Sequence, residues 1–295
     1  MLDLLGGGKY VFLSMTIWRN DPMQKRIAAI HDLSCFGKCS LTIALPVISC
    51  FGIECAVVPT AMLSGHFAAL PEVSVVDLTE NMGVIANQWE QGGVTFDGIF
   101  SGYLGTAAQV AQVKNFVGKF KGEQTLFVAD PAMADRGKLY RGFGMDHVKA
   151  MAELCAGADV ALPNVTEACL MLGRSYTEAH EKGQIEVLLR GMTDMGAKKV
   201  VITGVSLQPD RVGIACWDGE KIAFFDRPKT PGHYNGTGDL FASVLTASMV
   251  SGEDFLTAAE KAMDFTSHVI AETAKNPNHR VYGVDFELHL KDLLA

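Results

Sequence analysis

The chain has 295 residues, 48% of them apolar and 20% charged, enough to bury one large core and within the size of a single α/β domain. A net charge of −8 with no dense Lys/Arg block excludes an extended nucleic-acid surface, which must neutralise phosphates, but allows a local anion pocket. Seven cysteines, an odd number with no CxxC pair, and no run long enough to span a membrane indicate a reduced, cytoplasmic protein without a membrane partner.

Residues 1–22 differ from the rest of the chain. Their short apolar stretch has no basic segment before it and is broken by Gly6-Gly7-Gly8-Lys9, so it does not read as a secretion signal. The same glycine run lacks the preceding strand, the spacing and the Ser/Thr after Lys of a P-loop. Met23 stands directly before Gln24-Lys25-Arg26 and the first strong strand. Residues 1–22 are therefore expected to be a disordered extension or a mis-assigned start, with 23–295 forming one domain.

From Arg26 onward, β-rich runs alternate with amphipathic ones. Strands are expected over 26–30, 55–59, 98–101, 125–129, 160–162 and 199–203, and helices over 77–91, 107–120, 145–156, 166–172 and 178–195. This alternation predicts a mostly parallel, doubly wound sheet with helices on both faces. Residues 211–217 and 221–225 flank Asp218-Gly219, a hairpin signal that adds antiparallel strands at one edge. Two long helices, 238–250 and 254–274, complete the pattern. Pro46 interrupts a helical run over 40–50, where its missing N–H predicts a kink or a late start.

Ligands of an open parallel sheet bind beyond the carboxyl ends of its strands. Unusual polar residues collect there: His31 and Asp32 after the first strand, 60–66 after the second, 102–106 after the third, 130–135 after the fourth and 164–167 after the fifth. The most informative segment is Asn235-Gly236-Thr237-Gly238-Asp239, which opens an apolar helix. Gly236 and Gly238 let backbone N–H groups converge on an anion, the helix N-terminus adds partial positive charge, and Asp239 can accept a proton from an attacking alcohol. The segment reads as a small-molecule kinase site; a plain helix cap, with Asp239 favouring the dipole, is the simpler alternative.

Asn164 and Glu167 lie three apart at a strand-to-helix junction, where they can face nucleotide phosphates or form a cap. Asp130 and Asp135 flank a loop whose carboxylates suit a hard cation or an ordinary surface turn. Thr203 and Gly204 end a strand beside the expected nucleotide groove, and 226–234 are expected to wall it in part, with Lys229 either reaching a phosphate or simply exposed.

Several segments together resemble the vitamin B6 (pyridoxal) kinases of the ribokinase-like superfamily: Ala29-Ile30-His31-Asp32 with Phe36-Gly37, Ser64-Gly65-His66, Ser101-Gly102-Tyr103-Leu104-Gly105, Asp130-Pro131-Ala132-Met133, Pro163-Asn164-Val165-Thr166-Glu167 and Gly236-Thr237-Gly238-Asp239. They recur in family order across most of the chain. The resemblance implies a three-layer α/β/α fold and ATP-dependent phosphorylation of the 5′-hydroxymethyl group of pyridoxal, pyridoxine or pyridoxamine, with Mg²⁺, often a monovalent cation such as K⁺, and a homodimer. Gly236, Thr237 and Gly238 would hold the moving phosphoryl group and Asp239 would be the base. A carboxylate of ordinary pKa is a weak base toward an alcohol, so proton transfer is expected late, with positioning carrying most of the catalysis.

The resemblance further implies that Asp130, Asn164 and Glu167 serve ATP, that Asp130, Asp135 and Glu167 organise the metal, largely through water at Glu167, and that Ser64, His66 and Tyr103 meet the acceptor. The chain departs from the family pattern chiefly around the acceptor ring. His31 and Asp32 replace a common Gln and Ser, Leu63 and Phe67 a common Phe and Thr, Lys38-Cys39-Ser40 follows Gly37, and Ala134 stands at a frequent Gly. Asp32 can pair with a cationic aminomethyl group, which favours pyridoxamine, or can cap its own turn. Two other functions remain open: a hydroxymethylpyrimidine kinase of thiamine synthesis, and a non-catalytic carrier of vitamin B6 or nucleotide.

Overall fold

The computed structural model describes residues 24–294, together with two short strands, β1 (Leu4–Leu5) and β2 (Lys9–Tyr10), that pair antiparallel. The expectation for residues 1–22 otherwise lies outside the described residues. A nine-stranded sheet organises the rest. In chain order its strands are β3 (Arg26–Ser34), β4 (Glu54–Leu63), β5 (Val75–Asp77), β6 (Gly98–Ser101), β7 (Leu126–Ala129), β10 (Val160–Ala161), β11 (Lys199–Val205), β12 (Arg211–Trp217) and β13 (Ile222–Pro228). A hairpin of β8 (Ala134–Asp135) and β9 (Lys138–Leu139) stands apart. The spatial order is β13-β12-β11-β10-β7-β6-β3-β4-β5. The six strands from β11 to β4 run parallel, while β12, β13 and β5 are antiparallel additions at the two edges. The fold is the ribokinase-like three-layer α/β/α arrangement expected.

Alternation along the strands assigns the two cores. Ala28, Ile30, Ile99, Phe127, Ala129, Val200 and Ile202 face α2 (Thr79–Gln91), α3 (Ala107–Phe120), α4 (Met145–Ala156), α5 (Val165–Met171) and α6 (Lys182–Asp194). Their neighbours Ile27, Ala29, Phe100, Val128 and Val201 face α1 (Leu41–Cys50), α7 (Thr237–Ser251) and α8 (Phe255–Lys275). Period-2 burial on both faces is what a parallel sheet between helical layers requires.

Helices α3 and α4 have the bounds that periodicity predicts, and most other ends agree within a few residues. Three differences bear on the site. Strands β3 and β4 run four residues beyond their expected ends, because Leu33 and Ser34 pair with Met62 and Leu63, while β5 adds a further partner at Ala61 to Leu63. His31 and Asp32 therefore belong to a strand rather than a loop. The hairpin at 134–139 carries no strong strand signal, and periodicity does not predict it. Helix α1 starts at Leu41 and continues through Pro46, so the late start is incorrect; burial of Ile43, Ala44, Val47 and Ile48 on both sides of the proline outweighs one lost hydrogen bond.

His31 is fully buried, edge-on to Phe100 at 4.3 Å, and neither ring nitrogen has a hydrogen-bond partner among the described residues. Burial holds its pKa down at about 3, so the ring is neutral at ordinary pH. Gly102 makes room for it: a Cβ there would land on the imidazole. Gly102→Ala is expected to overpack this point and cost about 1–3 kcal/mol, read as a lower denaturation midpoint at unchanged m-value. Unaltered stability would show that the ring moves aside freely.

Candidate active site

Two helix N-termini meet at the carboxyl edge of the sheet. Helix α7 is capped by Gly236 in the left-handed region at φ +77°, and a Cβ at Gly236 would collide with the Lys38 carbonyl and with Ile43. Only glycine allows both that conformation and that approach. At Gly238 a Cβ would meet nothing within 4 Å, so open space adjoins the first turn. The Thr237 hydroxyl is held locally, donating to the Tyr234 carbonyl at 3.3 Å.

Asp239 points back to the N-terminus of α1, where its Oδ2 accepts the Ser40 N–H at 2.9 Å. Ser40 is the N-cap of α1 and one of two non-glycine residues at positive φ, 50°, among those described. Such a backbone costs about 1–3 kcal/mol and persists where surrounding contacts demand it. Part of Asp239 meets solvent, but protein atoms crowd its carboxyl. Burial pushes its pKa up to about 7, with the charges of Asp130 and Asp32 adding and the Ser40 N–H opposing. A carboxyl so displaced is a better base than the ordinary one assumed from sequence.

Asp32 is 4% exposed, and its Oδ2 accepts from Ser34 Oγ at 3.3 Å. Burial raises its pKa against the hydroxyls of Ser40 and Ser34. Asp130 is also buried, and its Oδ1 accepts the Ala132 N–H at 3.0 Å. Glu167, 2% exposed, closes a capping box: its Oε2 accepts the Asn164 N–H at 2.8 Å, while Asn164 Oδ1 accepts the Glu167 N–H at 2.9 Å. Its Oε1 accepts from Met133 and Ala134 N–H at 2.8 and 3.3 Å, and Asn164 Nδ2 donates to the Ala134 carbonyl at 2.7 Å. Capping and a place beside the phosphates, read from sequence as alternatives, are thus compatible, because the cap itself anchors the loop that carries Asp130. Burial drives the carboxyls of Asp130 and Glu167 upward, helped by the charge of Glu167 at Asp130 and of Asp135 at Glu167, against the backbone N–H groups that each accepts.

Asp135 differs from these. It lies on β8 with an exposed side chain, 3.8 Å from the Arg136 guanidinium, although its charge still reaches Glu167. Of the residues expected to meet an acceptor, Tyr103 is half-buried against Phe143, with ring centroids 5.7 Å apart, and Asp32 is near enough to help burial raise its phenol. The His66 ring accepts the Ala68 N–H at Nδ1, which leaves Nε2 to carry the proton of the neutral ring. Ser64 is exposed, and its Oγ accepts the Ser74 N–H at 3.0 Å, which pins the loop. Thr203 bridges to Asn164 and donates its N–H to the Pro163 carbonyl at 3.0 Å, so it adjoins the capping box together with Gly204, at φ +72°. The Lys229 N–H is tied to the Asp210 carbonyl at 2.8 Å.

Sequence reasoning missed three participants. Ser40 supplies the hydrogen bond to Asp239, and its only signal was a capping residue type before an apolar run. Lys38 presses its carbonyl on Gly236 and pairs with Asp285 and Glu287 at 3.0 and 2.8 Å. Tyr140 feels Glu167, Asp135, Asp130 and Asp239 together, a convergence with no sequence signal.

The family model described as "Phosphomethylpyrimidine kinase" matches residues 48–285. The chain belongs to that family. It is similar to a phosphomethylpyrimidine kinase candidate from Bacteroides thetaiotaomicron, at 35% identity and TM-score 0.89 over 94% of this chain and 96% of the other. An orthorhombic form of that protein contains pyridoxal. Pyridoxal kinase from Lactobacillus plantarum superposes with TM-score 0.84 at 33% identity over 92% and 96% of the two chains. A pyridoxine/pyridoxal/pyridoxamine kinase of Bordetella avium is 24% identical across 85% of this chain and 86% of its own. Within the family, the vitamin B6 kinases are the relatives that the sequence motifs indicated.

The pKa directions set an expected pH dependence for the cation-free fold. Asp239, Asp130, Glu167 and Asp32 all bind protons more tightly when folded than when unfolded, so their ionisation destabilises the fold as pH rises. The buried histidines act oppositely, but above about pH 6.5 their unfolded-state charge is at most half and fading, and the acids outweigh them. In chelator, stability is therefore expected to fall between about pH 6.5 and 8.5, and Asp130→Asn should flatten the slope. A midpoint that climbs over that interval would contradict the assignment.

Proposed function

We propose that this chain transfers the γ-phosphoryl group of ATP to the 5′-hydroxymethyl group of a vitamin B6 vitamer, with residues 23–295 acting as one kinase domain. The observation that carries this reading is Asp239: a carboxyl of raised pKa at the amide-rich start of α7, opposite a second helix N-terminus at Ser40. The open space by Gly238 admits a phosphate, and the N–H groups from Gly236 to Gly238 are its donors. Asp239 takes the hydroxyl proton as the oxygen attacks, and the two helix termini stabilise the charge that develops on the transferred group.

Four acids share one neighbourhood, and no basic group is among the main influences on them. That donor set fits a hard divalent cation. Asp130 would hold Mg²⁺ directly and Glu167 through water, since backbone N–H groups already occupy both Glu167 oxygens; Asp135, on its exposed hairpin, is the outer member of the set. Bound there, Mg²⁺ would neutralise charge on the transferring phosphates. Asn164, Thr203 and Gly204 line the nucleotide side, and a monovalent cation such as K⁺ completes the family's requirements. On the acceptor side, Tyr103 and His66 wall the ring, Ser64 shapes the loop, and Asp32 faces the substituents.

The vitamin B6 reading takes precedence over hydroxymethylpyrimidine, because the Bordetella and Lactobacillus relatives are kinases of vitamers and the Bacteroides neighbour holds pyridoxal. Among the described residues no helix is long and apolar enough to cross a membrane, in keeping with a cytoplasmic enzyme. Val75 and Val76, exposed on edge strand β5, suit a homodimer contact.

Asp239→Asn is expected to lower kcat by about 10²–10⁴-fold while ATP binding changes little. Near-normal turnover would remove Asp239 from the base role. An acceptor panel of pyridoxal, pyridoxine, pyridoxamine and hydroxymethylpyrimidine with Mg²⁺ and ATP should give ADP release with the vitamers, and a silent panel would point to a non-catalytic carrier. If Asp32 pairs with an aminomethyl group, pyridoxamine has the highest kcat/KM and Asp32→Ser abolishes that lead. A pyridoxal preference insensitive to Asp32→Ser would defeat the pairing.

A further inference from the structure

Outside the group of acids around Asp239, helix α8 and the C-terminal segment bring His268, His289 and Asp292 together. The segment consists of two 3₁₀ turns, Phe286–Leu288 and Leu290–Leu293. Side chains three apart eclipse in such turns, so His289 and Asp292 stand on one side, with Asp292 Oδ2 3.7 Å from His289 Nδ1. The same carboxylate lies 3.9 Å from His268 Nε2 on α8. The imidazoles meet edge to face, with centroids 4.9 Å apart and planes at 88°. One potential donor atom from each residue falls within 4.8 Å of the others. Glu272, one turn along α8 from His268, is near enough to feel both imidazoles.

The backbone around this group is fixed. Phe286 and Leu293 are 1% and 5% exposed and pack into the same core as Val269, the neighbour of His268. The His289 carbonyl accepts the Asp292 N–H at 2.9 Å. Zinc held by nitrogen and carboxylate oxygen at about 2.0–2.2 Å requires donors about 3.3–3.5 Å apart. The observed 3.7 and 3.9 Å exceed that by a few tenths of an ångström, within the reach of small side-chain rotations. None of the three donors is held in a hydrogen bond of normal length to another, so gathering them breaks nothing.

We propose that His268, His289 and Asp292 form a site for a late first-row divalent ion such as Zn²⁺, which clasps the C-terminal segment to α8. Two imidazoles with one carboxylate suit zinc, nickel or copper, whereas Mg²⁺ and Ca²⁺ demand oxygen donors. The clasp bears on the catalytic edge through the chain that precedes it. The Tyr282 carbonyl accepts the Lys38 N–H at 3.3 Å, Asp285 and Glu287 pair with Lys38, and the Lys38 loop presents the Ser40 N–H to Asp239. The role is structural and separate from the catalytic Mg²⁺.

The test is zinc titration by calorimetry on the chelator-stripped full chain, with Mg²⁺ in excess to occupy the catalytic carboxylates. One zinc per chain is expected, bound about tenfold or more tightly than by a His268→Ala/His289→Ala variant, together with a rise in Tm that the variant lacks. Zinc taken up by thiols survives in the variant and so cancels in the comparison. Asp292→Asn, which keeps the shape of its side chain, should weaken binding as well and serves if the double variant folds poorly. Equal zinc affinity in the wild type and both variants, or a Tm indifferent to zinc, overturns the proposal. Neither readout depends on turnover, so failure of the vitamin B6 assignment would leave this result intact.

Discussion

The hydrogen bond from the Ser40 N–H to the Asp239 carboxylate joins the start of α1 to the start of α7, across 199 positions of sequence. It forms because Gly236 lets the Lys38 carbonyl lie against the α7 cap, and because Ser40 accepts a backbone conformation that side chains normally avoid. Strain at one residue is thereby exchanged for the convergence of two helix N-termini. Lys38, held by Asp285 and Glu287, keeps the loop in place from the other side.

The electrostatics result from that convergence. Helix termini supply partial positive charge, while Asp32, Asp130, Asp239 and Glu167 supply several buried negative ones. Carboxyls in such surroundings hold their protons to higher pH, which suits the base role proposed for Asp239. The same crowding is where the proposed function puts a cation and, through it, the phosphates of a nucleotide. Glu167 shows how structure and chemistry share one residue: its oxygens are spent on three N–H groups, yet those bonds position the Asp130 loop.

Much of the fold was legible because short β-rich runs, buried on both faces, alternate with segments whose apolar residues recur at helical spacing. Helices α3 and α4, the hairpin around Asp218-Gly219 and the parallel order all stem from those patterns and from turn chemistry. The errors lie where long-range pairing decides. The extended ends of β3 and β4 and the edge strand β5 depend on pairing with other strands, the local hairpin at 134–139 is anchored by Asn164 and Glu167 about thirty residues on, and the start of α1 ahead of Pro46 depends on burial against α7.

The candidate site divides in the same way. Asp239, Gly236, Asn164, Glu167 and Asp130 could be nominated from sequence, because helix caps, glycine turns and loop carboxylates are patterns of contiguous residues. Their side-chain types and their places at strand ends are local properties, and the chain determined them unaided. Tertiary structure alone decided that Ser40 would serve Asp239, that Gly236 must be glycine because Lys38 lies against it, that Asp135 would turn outward, and that Asp239 would be a stronger base than an exposed carboxylate. Each of these depends on the distance between residues far apart in sequence, or on the exclusion of water, and both come into being only when the sheet and its helices pack.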